Sequence, residues 1–335
     1  MLNPKFANAM LQYLVILLDD TSLAYCHVSN PLKERNLIPI DILKKAILFG
    51  MKENLMIQYV LPEYELPKEY YDVMETIDNV KILGAAVAKR SSPASTDVAV
   101  YNEVPDTITA KNAVLRLTIA DFIAKQYDIA ALLPQVTRLN ICLTDIETFK
   151  DEQTDDYRKA LATLNAVILN QYKAGKQPQV NILTDRLQLD KMHNCEAGIG
   201  NITLAPNGRF YLCPAFYYDE KTGVSNRLNH HKPSSECSVG DLETGLQIPN
   251  PQLLKLDHAP LCRICDAYHC NRCIWLNHRL TWDNNTPSHQ QCIMAHLERN
   301  AARDLQQQLK EAGFAFESDI KQIDYLDPFD VREQF

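Results

Sequence analysis

The sequence predicts an α/β chain: a parallel strand layer or partial (β/α)6-type barrel in front, and a small cysteine-rich α+β domain behind. Three observations predict it. Short apolar runs alternate with helical periodicity over the front of the chain, which is the pattern of repeated β-α steps. From residue 195 the texture changes to a hairpin, polar loops and one long helix. Eight of the ten cysteines lie between Cys195 and Cys292, while the first 194 residues hold only Cys26 and Cys142.

Tyr13-Leu-Val-Ile-Leu-Leu18 is a continuous apolar run stopped by acids, as in a strand buried on both faces. Ile40–Asn54 has apolar residues at helical spacing after Pro39, so a helix is predicted there. A strand over Leu55–Leu61 and a helix over Glu69–Ile77 follow, then strands at Val80–Leu83 and Asp97–Tyr101 around a Ser- and Pro-bearing loop, Arg90–Thr96. Strands at Ala113–Leu117, Val136–Leu143 and Val180–Thr184 are separated by helices at Ile119–Leu132 and Asp155–Ala174. These steps number too few for a closed eight-fold barrel.

In such a layer the strand C-termini and the loops after them form the functional face. Asp19, Asp20, Glu63, Thr118, Asp145 and Asp185 stand there. Most of them read as turn and helix-cap residues; the alternative is an acidic rim facing a ligand. Further on, Ile202–Ala205 and Arg209–Leu212 flank Pro206-Asn207-Gly208 as a hairpin, with Asn-Gly supplying positive backbone angles. A polar loop spans Tyr218–Glu236, a long helix is predicted over Ser288–Gly313 with Cys292 in its first turn, and an acidic, aromatic tail runs from Ser318 to Phe335.

Composition narrows the function. Apolar residues make up 46% and charged residues 23%, as in ordinary globular proteins. Ten glycines are few for 335 residues, and neither a Walker-type nor a dinucleotide-binding glycine motif is present. Net charge is −8, which disfavours nucleic acid. The longest apolar stretches fall short of a membrane span, and Phe6–Leu18 lacks the cleavage site of a secretory signal. A cytoplasmic location with reduced thiols is therefore expected, in which tight cysteine pairs read as metal or cluster ligands.

Cys262-x2-Cys265-x4-Cys270-x2-Cys273 places four thiols within twelve residues, flanked by Cys195, Cys213, Cys237 and Cys292. Four thiolates per centre is usual for zinc and for iron–sulfur clusters, so eight allow two centres. Only four residues separate the two C-x2-C pairs, too few for an ordinary zinc ribbon. Interleaved centres that each borrow a distant cysteine fit the spacing better. His193, His230, His231, His258 and His269 lie near these cysteines, and His269 beside Cys270 is the first choice of substitute ligand.

Cys195-x12-Gly208-x4-Cys213, then the four-cysteine segment, then Cys292, resembles the SPASM domain of peptide-modifying radical S-adenosylmethionine enzymes. That resemblance implies two auxiliary 4Fe–4S clusters. Cys195, Cys213 and Cys273 would bind one, and Cys262, Cys265, Cys270 and Cys292 the other. Two spacings, Cys265-x4-Cys270 and Cys270-x2-Cys273, are each one residue shorter than in that family, which puts cluster geometry in question and leaves zinc as the alternative. Cys237 lies outside the pattern and is proposed as fourth ligand of the first cluster.

The front half fits that family's partial barrel but lacks its catalytic signature. Where three cysteines spaced C-x3-C-x2-C would bind the cluster that chelates S-adenosylmethionine, Asp19–His27 has Cys26 alone. The glycine-rich segment at the end of the second strand is replaced by Val60-Leu-Pro-Glu63. The chain thus reads as a degenerate radical-SAM-like partial barrel, and S-adenosylmethionine is not expected as a cofactor. Leu17–His27, Met51–Ile57 and Glu63–Pro67 further resemble the CXXX repeat peptide maturase family.

That resemblance implies a maturation factor for a ribosomally made, cysteine-rich precursor peptide, working with or without a partner modification protein. The alternatives are a zinc-stabilised, non-catalytic peptide scaffold and an electron-transfer partner of a separate enzyme. The expected domains are residues 1–190, 191–315 and a tail at 316–335. Cys26 is the one candidate catalytic residue. It reads first as a small buried side chain, and alternatively as a thiol that exchanges with a substrate thiol or completes a labile metal site.

Overall fold

The computed structural model describes residues 11–91, 93–187, 189, 195–223, 237–265, 267, 270 and 273–320, except the side chains of residues 91, 257 and 264. In chain order the front elements are β1 (Tyr13–Leu17), α1 (Ile40–Lys52), β2 (Met56–Val60), α2 (Lys68–Met74), β3 (Asn79–Gly84), α3 (Ala85–Ser91) and β4 (Val98–Tyr101). Then come β5 (Asn112–Leu117), α4 (Ile119–Ala124), α5 (Gln126–Leu132), β6 (Arg138–Leu143), α6 (Thr154–Lys173) and β7 (Gln179–Val180). The last group is β8 (Asn201–Leu204), β9 (Phe210–Tyr211), α7 (Pro214–Thr222), β10 (Gly240–Asp241), β11 (Gly245–Leu246), α8 (Ile274–Thr281) and α9 (His289–Glu311). No helix among the described residues is long and apolar enough to cross a membrane.

Two compact units result. The first comprises residues 1–24, 28–99 and 195–258, and the second 25–27, 100–194 and 259–335. In the first, β1 lies between β2 and β8 and is parallel to both. Leu14, Val15, Ile16 and Leu17 are all buried, which is why this strand carries no polar alternation. α1 buries Leu43, Ala46, Ile47 and Gly50, one stripe at helical spacing.

The hairpin Ile202–Leu212 joins this same layer, because β8 pairs with β1 on one side and antiparallel with β9 on the other. Its turn is built differently from the Asn-Gly expectation. Gly208 alone has a positive φ, +78°. Its N–H donates to Ala205 O at 2.9 Å and the Ala205 N–H donates to Arg209 O at 3.0 Å. Pro206 and Asn207 thus form a three-residue loop with glycine at the left-handed position.

In the second unit β5, β6 and β7 pair in parallel, with Arg116 opposite Cys142. The helix expected over Ile119–Leu132 is two helices, α4 and α5, separated at Lys125. The strand expected over Val180–Thr184 stops after Val180, and Thr184–Arg186 forms a 3-10 turn. α3 was hidden in sequence by its small size and by the polar loop after it. α9 begins with a capping box: Ser288 Oγ accepts from the Gln291 N–H and Gln291 Oε1 accepts from the Ser288 N–H.

α9 is unusual in burying Glu298, Arg299, His296 and Gln306 together. Glu298 is ion-paired to Arg186 at 2.7 Å and accepts from the Tyr157 hydroxyl at 2.8 Å, which satisfies the buried carboxylate. Burial beside that carboxylate pushes the Tyr157 hydroxyl well above its ordinary pKa.

Candidate functional site

The loop after β1, in the first unit, is filled by its own polar groups. Asp19 is fully buried, and its carboxylate accepts from the Thr21 N–H at 2.8 Å and from the Tyr64 hydroxyl at 2.9 Å. Ser22 donates to Val60 O at 2.9 Å and accepts from the Asp19 N–H at 3.0 Å. Asp20 accepts from the Tyr217 hydroxyl and is paired with Lys221 at 3.2 Å. Burial and the Asp20 hydrogen bond push Tyr217 far up, so it stays a donor. The two aspartates serve as structural acceptors that fasten the loop to α7 and to the β2–α2 loop. With one thiol in Asp19–His27, this segment does not fit a three-thiolate S-adenosylmethionine cluster.

The other strand-end residues are also structural. Thr118 caps α4 by accepting from the Asp121 N–H, and Asp145 accepts from the Ile119 N–H at 2.8 Å. Asp185 is paired with Arg138. Glu63 is exposed.

In the second unit Cys26 and His27 meet β5 and β6. The Cys26 carbonyl accepts from Arg116 Nε at 2.8 Å, and Arg116 Nη1 also donates to Asn102 at 2.7 Å. His27 does not meet the Cys26 thiol as a dyad. Its Nδ1 lies 2.7 Å from Leu143 O and 3.5 Å from Cys142 Sγ. Loss of hydration lowers the His27 pKa below its ordinary value, opposed by the Leu143 hydrogen bond. The same loss of hydration pushes the Cys142 thiol up to about 12, against the pull of Arg116. At neutral pH this is a neutral imidazole bonded to a carbonyl beside a protonated thiol, an arrangement that tethers rather than attacks.

The cysteine constellation divides between the units. Cys195, Cys213 and Cys237 belong to the first, and Cys262, Cys265, Cys270, Cys273 and Cys292 to the second. Cys195 is exposed, Cys262 is buried and the others are half-buried, all as free thiols. The Cys237 N–H donates to Glu220 at 2.7 Å, and Glu220 also accepts from the Tyr211 hydroxyl. Cys213 immediately precedes α7 and Cys273 immediately precedes α8.

Cys262 opens a 3-10 turn that brings the Cys265 N–H to within 3.1 Å of its carbonyl. The Ala267 N–H points at Cys265 Sγ from 3.4 Å, a donor that favours thiolate over thiol. This turn therefore fits the chemistry of a metal-bound C-x2-C pair. Among the described residues no three His, Cys, Asp or Glu side chains already surround one point. Asp266, Tyr268, His269, Asn271 and Arg272, like His193, His230 and His231, lie outside the described residues.

Sequence reasoning missed His296. It is 1% exposed on α9, with Nε2 3.6 Å from Cys265 Sγ. The available signal was Cys292-x3-His296, two metal-binding residue types four apart on one helix face.

No family profile and no curated protein matches the sequence. Solved structures do match the fold. Against histidine-tagged anSMEcpe with bound AdoMet the TM-score is 0.55 at 11% identity, over 90% of this chain and 96% of the other. Native anSMEcpe with bound AdoMet and Cp18Cys peptide gives 0.57 at 10% identity, over 90% and 99%. Native anSMEcpe with AdoMet and Kp18Cys peptide gives 0.56 at 12% identity, over 89% and 99%. The chain thus has a radical-SAM-like (β/α) fold, with parallel strands linked by helices in each unit.

Proposed function

We propose that this chain is a maturation factor for a ribosomally made peptide with repeated Cys-x-x-x units, of the CXXX repeat peptide maturase type. The single observation that carries the proposal is the eight-thiol set from Cys195 to Cys292, including a turn at Cys262–Cys265 whose backbone N–H favours thiolate. The fold shared with anSMEcpe, whose structures include Cp18Cys and Kp18Cys peptides, supports a peptide as the partner.

The eight cysteines would hold two 4Fe–4S centres of the auxiliary type, which supply electron transfer when bound. Radical S-adenosylmethionine chemistry is not assigned to this chain, because the loop after β1 offers Cys26 alone and its aspartates serve as packing acceptors. Residues 191–315 are proposed as the SPASM-like auxiliary domain and 1–190 as the degenerate barrel. A zinc-bound peptide scaffold is the second reading, favoured by the imidazole nitrogen beside Cys265, since mixed nitrogen and sulfur ligands suit zinc.

Anaerobically purified protein, incubated with S-adenosylmethionine, reductant and a synthetic peptide of Cys-x-x-x repeats, tests the proposal. The peptide is expected to bind, and no 5′-deoxyadenosine is expected to form. Release of 5′-deoxyadenosine would overturn the non-radical assignment, and failure to bind while a cysteine-to-serine control peptide binds equally poorly would remove the peptide role.

A further inference from the structure

We infer that His296 is a nitrogen ligand of the metal centre in the second unit, together with Cys262, Cys265 and Cys292. The inference rests on reading the C-terminal thiols as a metal centre, and deepens it by naming a ligand that is not a thiol.

The first observation is a distance. A tetrahedral metal bound at about 2.3 Å to sulfur and about 2.0 Å to imidazole nitrogen holds those two atoms about 3.6 Å apart. Cys265 Sγ and His296 Nε2 are 3.6 Å apart, so one edge of such a tetrahedron is already formed. The second is placement. The capping box at Ser288 fixes the start of α9, Cys292 follows one turn later, and His296 lies four residues beyond it on the same face. The 3-10 turn puts Cys262 three residues before Cys265, with the Cys265 backbone N–H bonded back to Cys262 O. Knuckle and helix therefore each offer two ligands, in the order Cys-x2-Cys and Cys-x3-His.

The third observation is the contrast with His27. Its Nδ1 is 3.5 Å from a thiol as well, but that same nitrogen sits 2.7 Å from Leu143 O and so carries a proton toward the carbonyl. A protonated nitrogen cannot ligate. Nε2 of His296 faces a sulfur that already accepts the Ala267 N–H, the arrangement of a thiolate rather than of a thiol donating to imidazole. With His296 as fourth ligand, Cys270 is released from this centre to the adjoining pair with Cys273, a departure from the all-thiol set that the SPASM resemblance implies.

The test uses the full chain, purified anaerobically with its own metal and with [15N]histidine incorporated. If the metal is iron, pulsed electron paramagnetic resonance of the reduced protein is expected to show hyperfine coupling to a histidine nitrogen. If it is zinc, absorption at the zinc edge is expected to show imidazole scattering. Either signal is expected to disappear in His296→Gln, which keeps an N–H donor near the Nε2 position, with metal content falling about two-fold as one of two centres empties. A metal-loaded wild-type chain without any histidine signal overturns the inference, as does a His296→Gln chain that keeps both signal and metal. A wild-type chain that binds no metal overturns the underlying reading of the thiols, a result distinct from either.

Discussion

His27 and Cys142 face each other at 3.5 Å, yet the imidazole nitrogen between them belongs to the Leu143 carbonyl. The thiol is held near a pKa of about 12 by loss of hydration. Its thiolate fraction at pH 7.5 is then about 10³-fold below that of an ordinary cysteine. Iodoacetamide labelling of the native chain, read by peptide mass spectrometry, is expected to modify Cys142 at least about 10²-fold more slowly than a free model thiol. A rate within about ten-fold of the free thiol would show an activated cysteine.

The lowered His27 pKa has a sign that can be measured. On acidification through the ordinary histidine range, near pH 6.5, the unfolded chain takes up a proton before the folded one does. This contribution to stability is complete above that range and declines as pH falls below it. Urea midpoints at pH 7.5 and 5.5 are expected to differ more in the wild type than in His27→Asn, whose amide replaces the donor to Leu143 O. Equal differences would contradict the assignment.

The Arg186–Glu298 pair is 1% and 0% exposed at its side chains. Replacing Glu298 by Gln strands the Arg186 charge, which typically costs about 3–5 kcal/mol. Arg186→Met with Glu298→Leu removes both charges and is expected to cost much less than Glu298→Gln alone. Urea denaturation of the three chains decides it; a double variant less stable than the single one would contradict the pairing argument.

Gly240 and Gly245 separate two reasons for glycine. At Gly240, φ is +116° and an added Cβ would lie 2.0 Å from Gly245 O, whereas at Gly245, φ is +76° and nothing lies within 4 Å. Gly240→Ala is expected to cost more than about 2 kcal/mol and Gly245→Ala about 1 kcal/mol. Thermal melting compares them, and equal losses would refute the close approach.

Much of the fold was legible in residue order. The uninterrupted apolar run at Tyr13–Leu17 marked a strand flanked on both sides, and the stripe Leu43, Ala46, Ile47, Gly50 marked the face of α1. The break at Lys125 was not legible, because the apolar periodicity of Ile119–Leu132 continues through it. The pairing of β8 with β1 was hidden because it joins residues far apart in the chain, Tyr13 and Asn201 among them, and no local pattern reports such a partner. In the candidate site the thiols announced themselves by number and spacing. His296 did not, since one histidine in a long amphipathic helix reads as core until Cys265 is found beside it.

The central claim is that the thiols from Cys195 to Cys292 hold two iron–sulfur centres. Its most direct test is iron, acid-labile sulfide and zinc content of the full chain purified without oxygen. The account predicts about eight irons and about eight sulfides per chain, with little zinc. Two zincs without iron, or a folded chain with no metal at all, would contradict it.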